Sequence, residues 1–175
     1  MEMSLAGLFS IVNEWLRFAE SKNAAGVAFN TAIIAVTIDL DVGMGFPDFY
    51  PGLVLTFSIV SLGFGLISFL PSLSISRNMR VEVGDVEHDS GNILFFGSIA
   101  EMGIENFRRR ALIDFGLKDT DGLFLPLTEQ IFVNSVIIRR KLKLFNAAVF
   151  FAALGLTFGL SLIVWAVMSK NRDIG

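Results

Sequence analysis

The fold of this chain is decided by one uncharged stretch, Phe145–Met168, which reads FNAAVFFAALGLTFGLSLIVWAVM. It has 24 residues, and about 20 apolar residues in helical form suffice to cross the hydrocarbon core of a bilayer. Trp165 lies near its end, where aromatic side chains meet the membrane–water interface. The stretch therefore predicts a membrane-spanning helix at 144–168, and the rest of the chain is interpreted around it.

The composition supports a membrane protein. Of the 175 residues, 53% are hydrophobic and 18 are Phe. The mean hydropathy is +0.64. The absence of Cys excludes disulfides, thiolate chemistry and cysteine metal sites. The formal net charge of −3 gives no reason to expect nucleic-acid binding.

Two more uncharged runs lie upstream, and they predict a transmembrane hairpin at 23–76 with spans at about 23–40 and 50–71. The first span is marginal, because its uncharged run has only 16 residues and contains Asn30, Thr31 and Thr37. Polar groups in a span face another helix or a cavity, so we assign Asn30 and Thr31 to the membrane output. Gly and Pro residues in segment 39–49 predict a turn there.

The N-terminal segment 1–22 has apolar residues at helical spacing, which predicts an amphipathic helix. Such a helix lies on the membrane surface or packs on the polar region, and the mixed charge of its polar face favours packing. The apolar stripe comprises Leu5, Leu8, Phe9, Val12, Trp15, Leu16 and Ala19.

The polar region 77–143 contains ten basic and ten acidic residues. Basic residues lie close to both flanking spans, whereas the 39–49 turn has none. By the positive-inside rule the polar region is then cytosolic. Three spans place the N-terminus in the cytosol and the tail 169–175 outside.

Within the polar region, Asn92-Ile-Leu-Phe-Phe-Gly-Ser-Ile-Ala100 follows an acidic, irregular segment that has room for one short strand. A helix is expected after Gly97, with Gly116 ending it in the left-handed conformation. Segment 118–125 is expected to be a loop. Pro126 suits the start of a last helix that continues without a break into the third span. The fold class is thus mainly α, with three spans, a mostly helical cytosolic region before the third, and the amphipathic helix.

The sequence shows no catalytic constellation, so we expect no enzyme and no resident cofactor. His88 is the only His and lies in an acidic triplet, for which a solvated loop is the better interpretation than a metal site. A phosphate-loop motif is absent.

Without a catalytic motif, the interpretation that remains is a ligand-sensing region attached to membrane-spanning helices. A nucleotide needs positive charge or free backbone N–H groups for its phosphate, an aromatic face for its base and amides for the base edge. The cytosolic segments contain each type: Arg17, Lys22 and Lys141; Phe95 and Phe96; Asn92, Gln130 and Asn134.

Three stretches of the chain resemble the transmembrane effectors of Pycsar antiphage systems. Arg17-Phe-Ala-Glu20-Ser-Lys22 with Asn30 is similar to the family's entry into its first span. Asn92-Ile-Leu-Phe-Phe96-Gly97-Ser-Ile-Ala100 is similar to its Phe-Phe-Gly element. The third stretch leads into the last span and contains Gln130, Asn134, Arg140, Lys141 and Ala147.

The resemblance implies a protein of the bacterial inner membrane that works with a pyrimidine cyclase. It implies a response to cyclic CMP or cyclic UMP, followed by impaired membrane integrity and abortive infection. The chain departs from the family pattern in having Glu20 for Asp and Ser98 for His. The candidate nucleotide-binding residues are Arg17, Lys22, Asn92, Phe96, Gly97, Ser98, Gln130 and Lys141.

Other interpretations fit the same residues. Arg17, Glu20 and Lys22 also suit an ion-paired helix end, and the two Phe residues a hydrophobic core. Gln130 and Asn134 are one turn apart and suit contacts between helices. The alternative functions are a channel or transporter accessory subunit and a membrane-tethered scaffold. Because three helices cannot enclose an aqueous path, we expect a homo-oligomer in the lipid bilayer.

Overall fold

The computed structural model describes residues 4–44, 49–70, 92–117 and 122–172, and in these ranges every regular element is a helix. The mainly α class is therefore confirmed. The expected short strand, His88 and residues 118–121 of the expected 118–125 loop lie outside the described residues. The last two residues of that expected loop, Phe124 and Leu125, are helical instead. The helices are α1 (Leu5–Met44), α2 (Phe49–Phe69), α3 (Phe96–Met102), α4 (Ile104–Asp114) and α5 (Phe124–Arg172).

The chain divides into two compact units. Unit 1 comprises Met1–Glu20 and Pro71–Leu142, and unit 2 comprises Ser21–Leu70 and Lys143–Gly175. α1 and α5 each contribute residues to both units.

Two helices of the described part are long and apolar enough to cross a membrane, through Pro51–Phe69 in α2 and Phe124–Trp165 in α5. The expected second and third spans fall on them. Only 28% and 18% of their most apolar windows are buried, unlike the core helix of a soluble protein. The expected first span lies in α1, which is not one of these two helices, so a third span stays a prediction.

Two helices extend further than the bounds taken from the sequence. α1 continues through Asp39 and Asp41 to Met44, where a turn was expected from residue 39. Asp costs a helix less than about 1 kcal/mol, so the helix continues until it approaches Pro47. α5 likewise runs to Arg172, so part of the expected tail at 169–175 is helical.

Unit 1 is built on the apolar stripe of the N-terminal helix. Leu8, Val12 and Ala19 are fully buried, so this part of α1 packs on the polar region as expected. The α5 segment of unit 1 buries Ile131 and Ile138 in the same cluster. The cluster is completed by Leu5, Ile93, Phe96, Ile99, Phe107, Ala111, Phe124 and Phe132.

A break at Gly103 divides the helix that was expected after Gly97. Gly103 has φ 79° and ψ 160°, a region open essentially to glycine alone, and it separates α3 from α4. α4 buries Phe107 and Ala111 on the expected face. Gly116 has φ 60°, and the Leu117 amide donates to the Leu112 carbonyl at 3.1 Å, which confirms the left-handed helix end.

In unit 2, α2 and α5 are held by a ladder of aromatic rings. Phe57 stacks on Phe158 with ring centroids 5.6 Å apart, and Phe64 stacks on Phe151 at the same distance. The Ser61 hydroxyl donates to the Ala148 carbonyl at 2.6 Å. These pairs show that α2 and α5 are antiparallel.

Polar and small residues join α1 to α2 in unit 2. The Asn23 amide donates to the Ser68 hydroxyl at 2.5 Å, and both residues are buried. A Cβ on Gly65 would lie 2.8 Å from Val27, so the two helices approach closely there.

Candidate functional site

Unit 1 carries a chain of four aromatic rings at its surface. Trp15 of α1 lies 5.3 Å from Phe96 of α3, measured between ring centroids. Phe96 lies 4.6 Å from Phe95, and Trp15 lies 5.6 Å from Phe18 in an edge-to-face contact. We call these four residues the aromatic cluster.

The rings of the aromatic cluster differ in exposure. Phe96 is only 6% exposed and belongs to the core, whereas Trp15, Phe18 and Phe95 are 37%, 46% and 45% exposed. The buried ring packs against Trp15 and Phe95, and both of these keep part of their ring surface exposed.

Local backbone geometry fixes Phe95. The Asn92 side-chain oxygen accepts a hydrogen bond from the Leu94 amide at 2.9 Å, which closes a turn before α3. A Cβ on Gly97 would collide with the Phe95 ring, whose Cζ would be 3.1 Å away. Gly97 is therefore required for the Phe95 ring to fold back over α3.

A second, polar surface follows the line along which α1 meets α5 in unit 1. The Asn134 amide donates to the Asn13 side-chain oxygen at 2.9 Å, and Lys141 pairs with Glu20 at 2.9 Å. Both pairs join residues 121 positions apart, so α1 and α5 run parallel here. We call this surface the polar seam.

The two surfaces lie on different flanks of α1. At ~100° per residue, Trp15 and Glu20 are about 140° apart around the helix axis. The side-chain contacts agree, since Trp15 meets α3 while Asn13 and Glu20 meet α5. A small ligand would therefore occupy one flank or the other.

The structure divides the predicted nucleotide-binding residues between these places. Asn92, Phe96, Gly97 and Ser98 come together at the start of α3, beside Trp15. Lys141 belongs to the polar seam, where its pair with Glu20 agrees with the ion-paired interpretation. Arg17 is exposed one turn from Asn13 and Glu20, and Gln130 is exposed one turn before Asn134.

Three predicted residues belong to unit 2. Lys22 has its ammonium 5.5 Å from the centroid of the Phe145 ring. Asn30 is buried, and its amide donates to the Gly26 carbonyl at 2.9 Å. Thr31 is exposed, and its hydroxyl donates to the Val27 carbonyl at 2.9 Å. The contacts of these residues leave their functional assignment a prediction.

Sequence reasoning missed Trp15 as a candidate site residue. It was counted in the apolar stripe, which is correct for its position but not for its exposure. The available signal was its place at the edge of the stripe, where a large ring extends past the core.

Comparison with known families decides the class of the protein. The chain matches the Pycsar effector protein domain, PycTM, over residues 4–168. It belongs to the Pycsar effector family. No curated protein and no solved structure matches the chain significantly.

Membership of the Pycsar effector family accounts for the combination of a small polar unit with long apolar helices. Pycsar effectors are membrane effectors of antiphage defence that are activated by a cyclic nucleotide, the signal of a nucleotide cyclase. Among the described residues of unit 1, the aromatic cluster offers exposed rings of the kind on which a base can stack.

Proposed function

We propose that this Pycsar effector binds cyclic CMP or cyclic UMP made by a partner cyclase and then impairs the inner membrane, causing abortive infection. The proposal is supported by the family match and by one observation, the exposed aromatic cluster on unit 1. It places the N-terminus and unit 1 in the cytosol and the C-terminus in the periplasm.

The base of the nucleotide stacks on Trp15 and Phe95 in this proposal. Base–aromatic stacking contributes about 1–3 kcal/mol per base. Asn92, Gly97 and Ser98 complete the ligand site on the α3 side. Ser98 occupies the position of the family's His, so its hydroxyl replaces an imidazole.

Membrane damage requires more than one copy of the chain in this proposal. Moving a two-state equilibrium from about 1% to 99% needs roughly 5.5 kcal/mol of differential affinity. Stacking of one base supplies less than that, so several sites acting on one homo-oligomer share the requirement. Membrane damage should then rise steeply with nucleotide concentration.

The test is binding and leakage with the same purified protein. Detergent-purified effector should bind cyclic CMP or cyclic UMP, and effector in dye-filled liposomes should release the dye only when that nucleotide is added. Saturable binding without leakage would refute the membrane output. Dye release that is the same with and without every cyclic nucleotide would refute nucleotide sensing.

The chain provides a matched pair of variants, because it has two Trp residues. Trp15→Ala should weaken nucleotide binding about tenfold, by loss of one stacking face. Trp165→Ala, in unit 2, should leave binding unchanged. Calorimetric titration measures both.

Arg17→Ala distinguishes the two flanks of α1. On the present proposal it should reduce nucleotide affinity less than Trp15→Ala does, because Arg17 is on the side of the polar seam. The reverse order would move the ligand site to the seam.

A further inference from the structure

The inside of unit 2 is lined by polar and small residues, whereas large apolar side chains are exposed on its outside. In segment 21–39 of α1, the residues that are buried are Asn23 and Asn30. They are seven positions apart, which places them on one face of the helix about 10 Å from each other. We give the name interior row to these two asparagines and the three buried serines of α2, which are Ser58, Ser61 and Ser68.

The interior row runs lengthwise through unit 2. The Asn23 amide donates to the Ser68 hydroxyl at 2.5 Å. In an antiparallel pair of helices with this match, Asn30 of α1 is level with Ser61 of α2. Ser58 lies about one turn beyond Ser61, so the row extends for about 15 Å, or half the thickness of a hydrocarbon core.

Hydrogen bonds between the helices account for only part of the interior row. The bonds of Ser61 to α5 and of Ser68 to α1 are of the kind that joins membrane helices. Asn30 instead donates to a carbonyl of its own helix. No described residue is hydrogen-bonded to the Ser58 hydroxyl or to the side-chain oxygens of Asn23 and Asn30. These three buried atoms therefore do not hold the helices together.

A dry interior is unfavourable for the three unpaired atoms. A buried polar atom without a partner costs free energy, and lipid has no donor to replace the missing one. Each such atom biases an equilibrium by about tenfold towards an arrangement in which water reaches it. Polar groups inside membrane spans commonly line the routes of ions and water. The interior row has both the position and the energetic bias that such a route needs.

We propose that the interior row is the wall of the aqueous path by which this effector impairs the membrane, sealed in the arrangement described here. The path opens when the helices of unit 2 move apart or turn, so that water reaches the row. Since three helices cannot enclose an aqueous path, each copy of a homo-oligomer contributes one row. The inference rests on the proposed membrane output and on unit 2 lying in the bilayer.

A charge placed in the interior row tests this without any nucleotide. Asn30→Asp keeps the shape of the side chain and adds a charge that requires water. Liposomes carrying this variant at pH 8 should release dye at least about tenfold faster than liposomes carrying the parent chain. Ala32→Asp is the matched control, because Ala32 is exposed and lies about 200° from Asn30 around α1. It should release dye no faster than the parent.

Two outcomes of this experiment would overturn the proposal. The first is an Asn30→Asp variant that is incorporated normally and keeps its dye as well as the parent. The second is equal release from Asn30→Asp and Ala32→Asp, because a charge on the outside would then act like one in the row. Where Asn30→Asp does not accumulate in membranes, Asn23→Asp provides the same isosteric test at a residue 1% exposed.

The accessibility of single thiols tests the open path itself, since the chain has no Cys. Ser58→Cys places a thiol in the interior row, and Ile59→Cys places one at a neighbouring residue that is 57% exposed. A cationic methanethiosulfonate, which reacts in water and not in lipid, should modify Ser58→Cys only after addition of the cyclic CMP or cyclic UMP that releases dye. Ile59→Cys should stay unmodified throughout. Nucleotide-driven dye release with an unreactive Ser58→Cys thiol would place the path elsewhere.

Failure of this inference can be told apart from failure of the proposed function. Dye release by Asn30→Asp, together with no response of the parent to any nucleotide, would refute sensing and leave the interior row in place. Nucleotide-driven release from the parent, together with tight Asn30→Asp liposomes, would leave the proposed function in place and remove the row from it.

Discussion

Lys141 is a cation whose role depends on its neighbour. Its side chain is only 13% exposed, and its ammonium lies 2.9 Å from the carboxylate of Glu20, which is 49% exposed. A lysine already neutralised by a carboxylate is a weaker phosphate ligand than a lone one. We therefore interpret the pair as a link between α1 and α5.

Neutralising either member of this pair should affect stability more than binding. Glu20→Gln and Lys141→Met should each lower the free energy of unfolding by about 1 kcal/mol or less, as is typical for a partly exposed pair. The double variant should be little worse than either single one, because the interaction is lost only once. Thermal melting in detergent measures this cycle.

Nucleotide affinity provides the contrasting result for the same variants. It should stay within about threefold of the parent in both single variants. Loss of binding in Lys141→Met alone would show that Lys141 contacts the ligand after all.

Among the elements, α3 and α4 depend on two glycines in different backbone regions. Gly103 is in a conformation that no other residue adopts easily, while Gly116 is in the left-handed region at a helix end. Asn adopts the left-handed region of Gly116 readily, but it does not adopt the backbone region of Gly103.

The two positions should therefore respond differently to the same substitution. Gly103→Asn should cost about 1–3 kcal/mol of stability, and Gly116→Asn less than about 1 kcal/mol. Melting temperatures of the two variants check the order. Equal losses would mean that α3 and α4 can merge into one helix, as the sequence suggested.

At the scale of the molecule, α5 is one helix from Phe124 to Arg172 and supplies residues to both units. We propose that a shift of this helix in unit 1 reaches unit 2 through covalent structure. This continuity was expected from the sequence, and its role in signalling stays a proposal.

An insertion in α5 tests that role. Two Gly residues after Lys141 should leave nucleotide binding intact and abolish leakage, because each Gly costs a helix about 1 kcal/mol and the pair turns the following residues by about 200°. The same insertion after Gly122, before α5 begins, should preserve both activities. An insertion after Lys141 that still permeabilises liposomes would contradict transmission through α5.

The sequence predicted those features that depend on local chemistry. The stripe through Leu8 and Val12 followed from helical periodicity, and the helix end at Gly116 from the backbone freedom of glycine. The break at Gly103 was missed, because an isolated Gly in an apolar pattern does not reveal its φ.

Features that depend on contacts between residues far apart in the chain could not be predicted from the sequence. The pairing of Asn13 with Asn134 joins residues 121 positions apart, and no local pattern encodes it. The separation of Phe96 from Lys141 onto two flanks of α1 follows from how α3 and α5 pack. The sequence therefore grouped the candidate residues by type, whereas the structure distributes them over two surfaces.

The matched spacing of the two polar seam pairs limits how unit 1 can move. A screw motion of α1 by one residue combines a shift of ~1.5 Å along α5 with a turn of about 100° about its own axis. Such a step takes the Asn13 and Glu20 contacts out of reach together, and they would next find equivalent positions only seven residues away. The polar seam is therefore expected to form or break as a unit, because both pairs lie on one face of α1. A signal that works through it would be all-or-none in each copy, with any gradation coming from how many copies have switched.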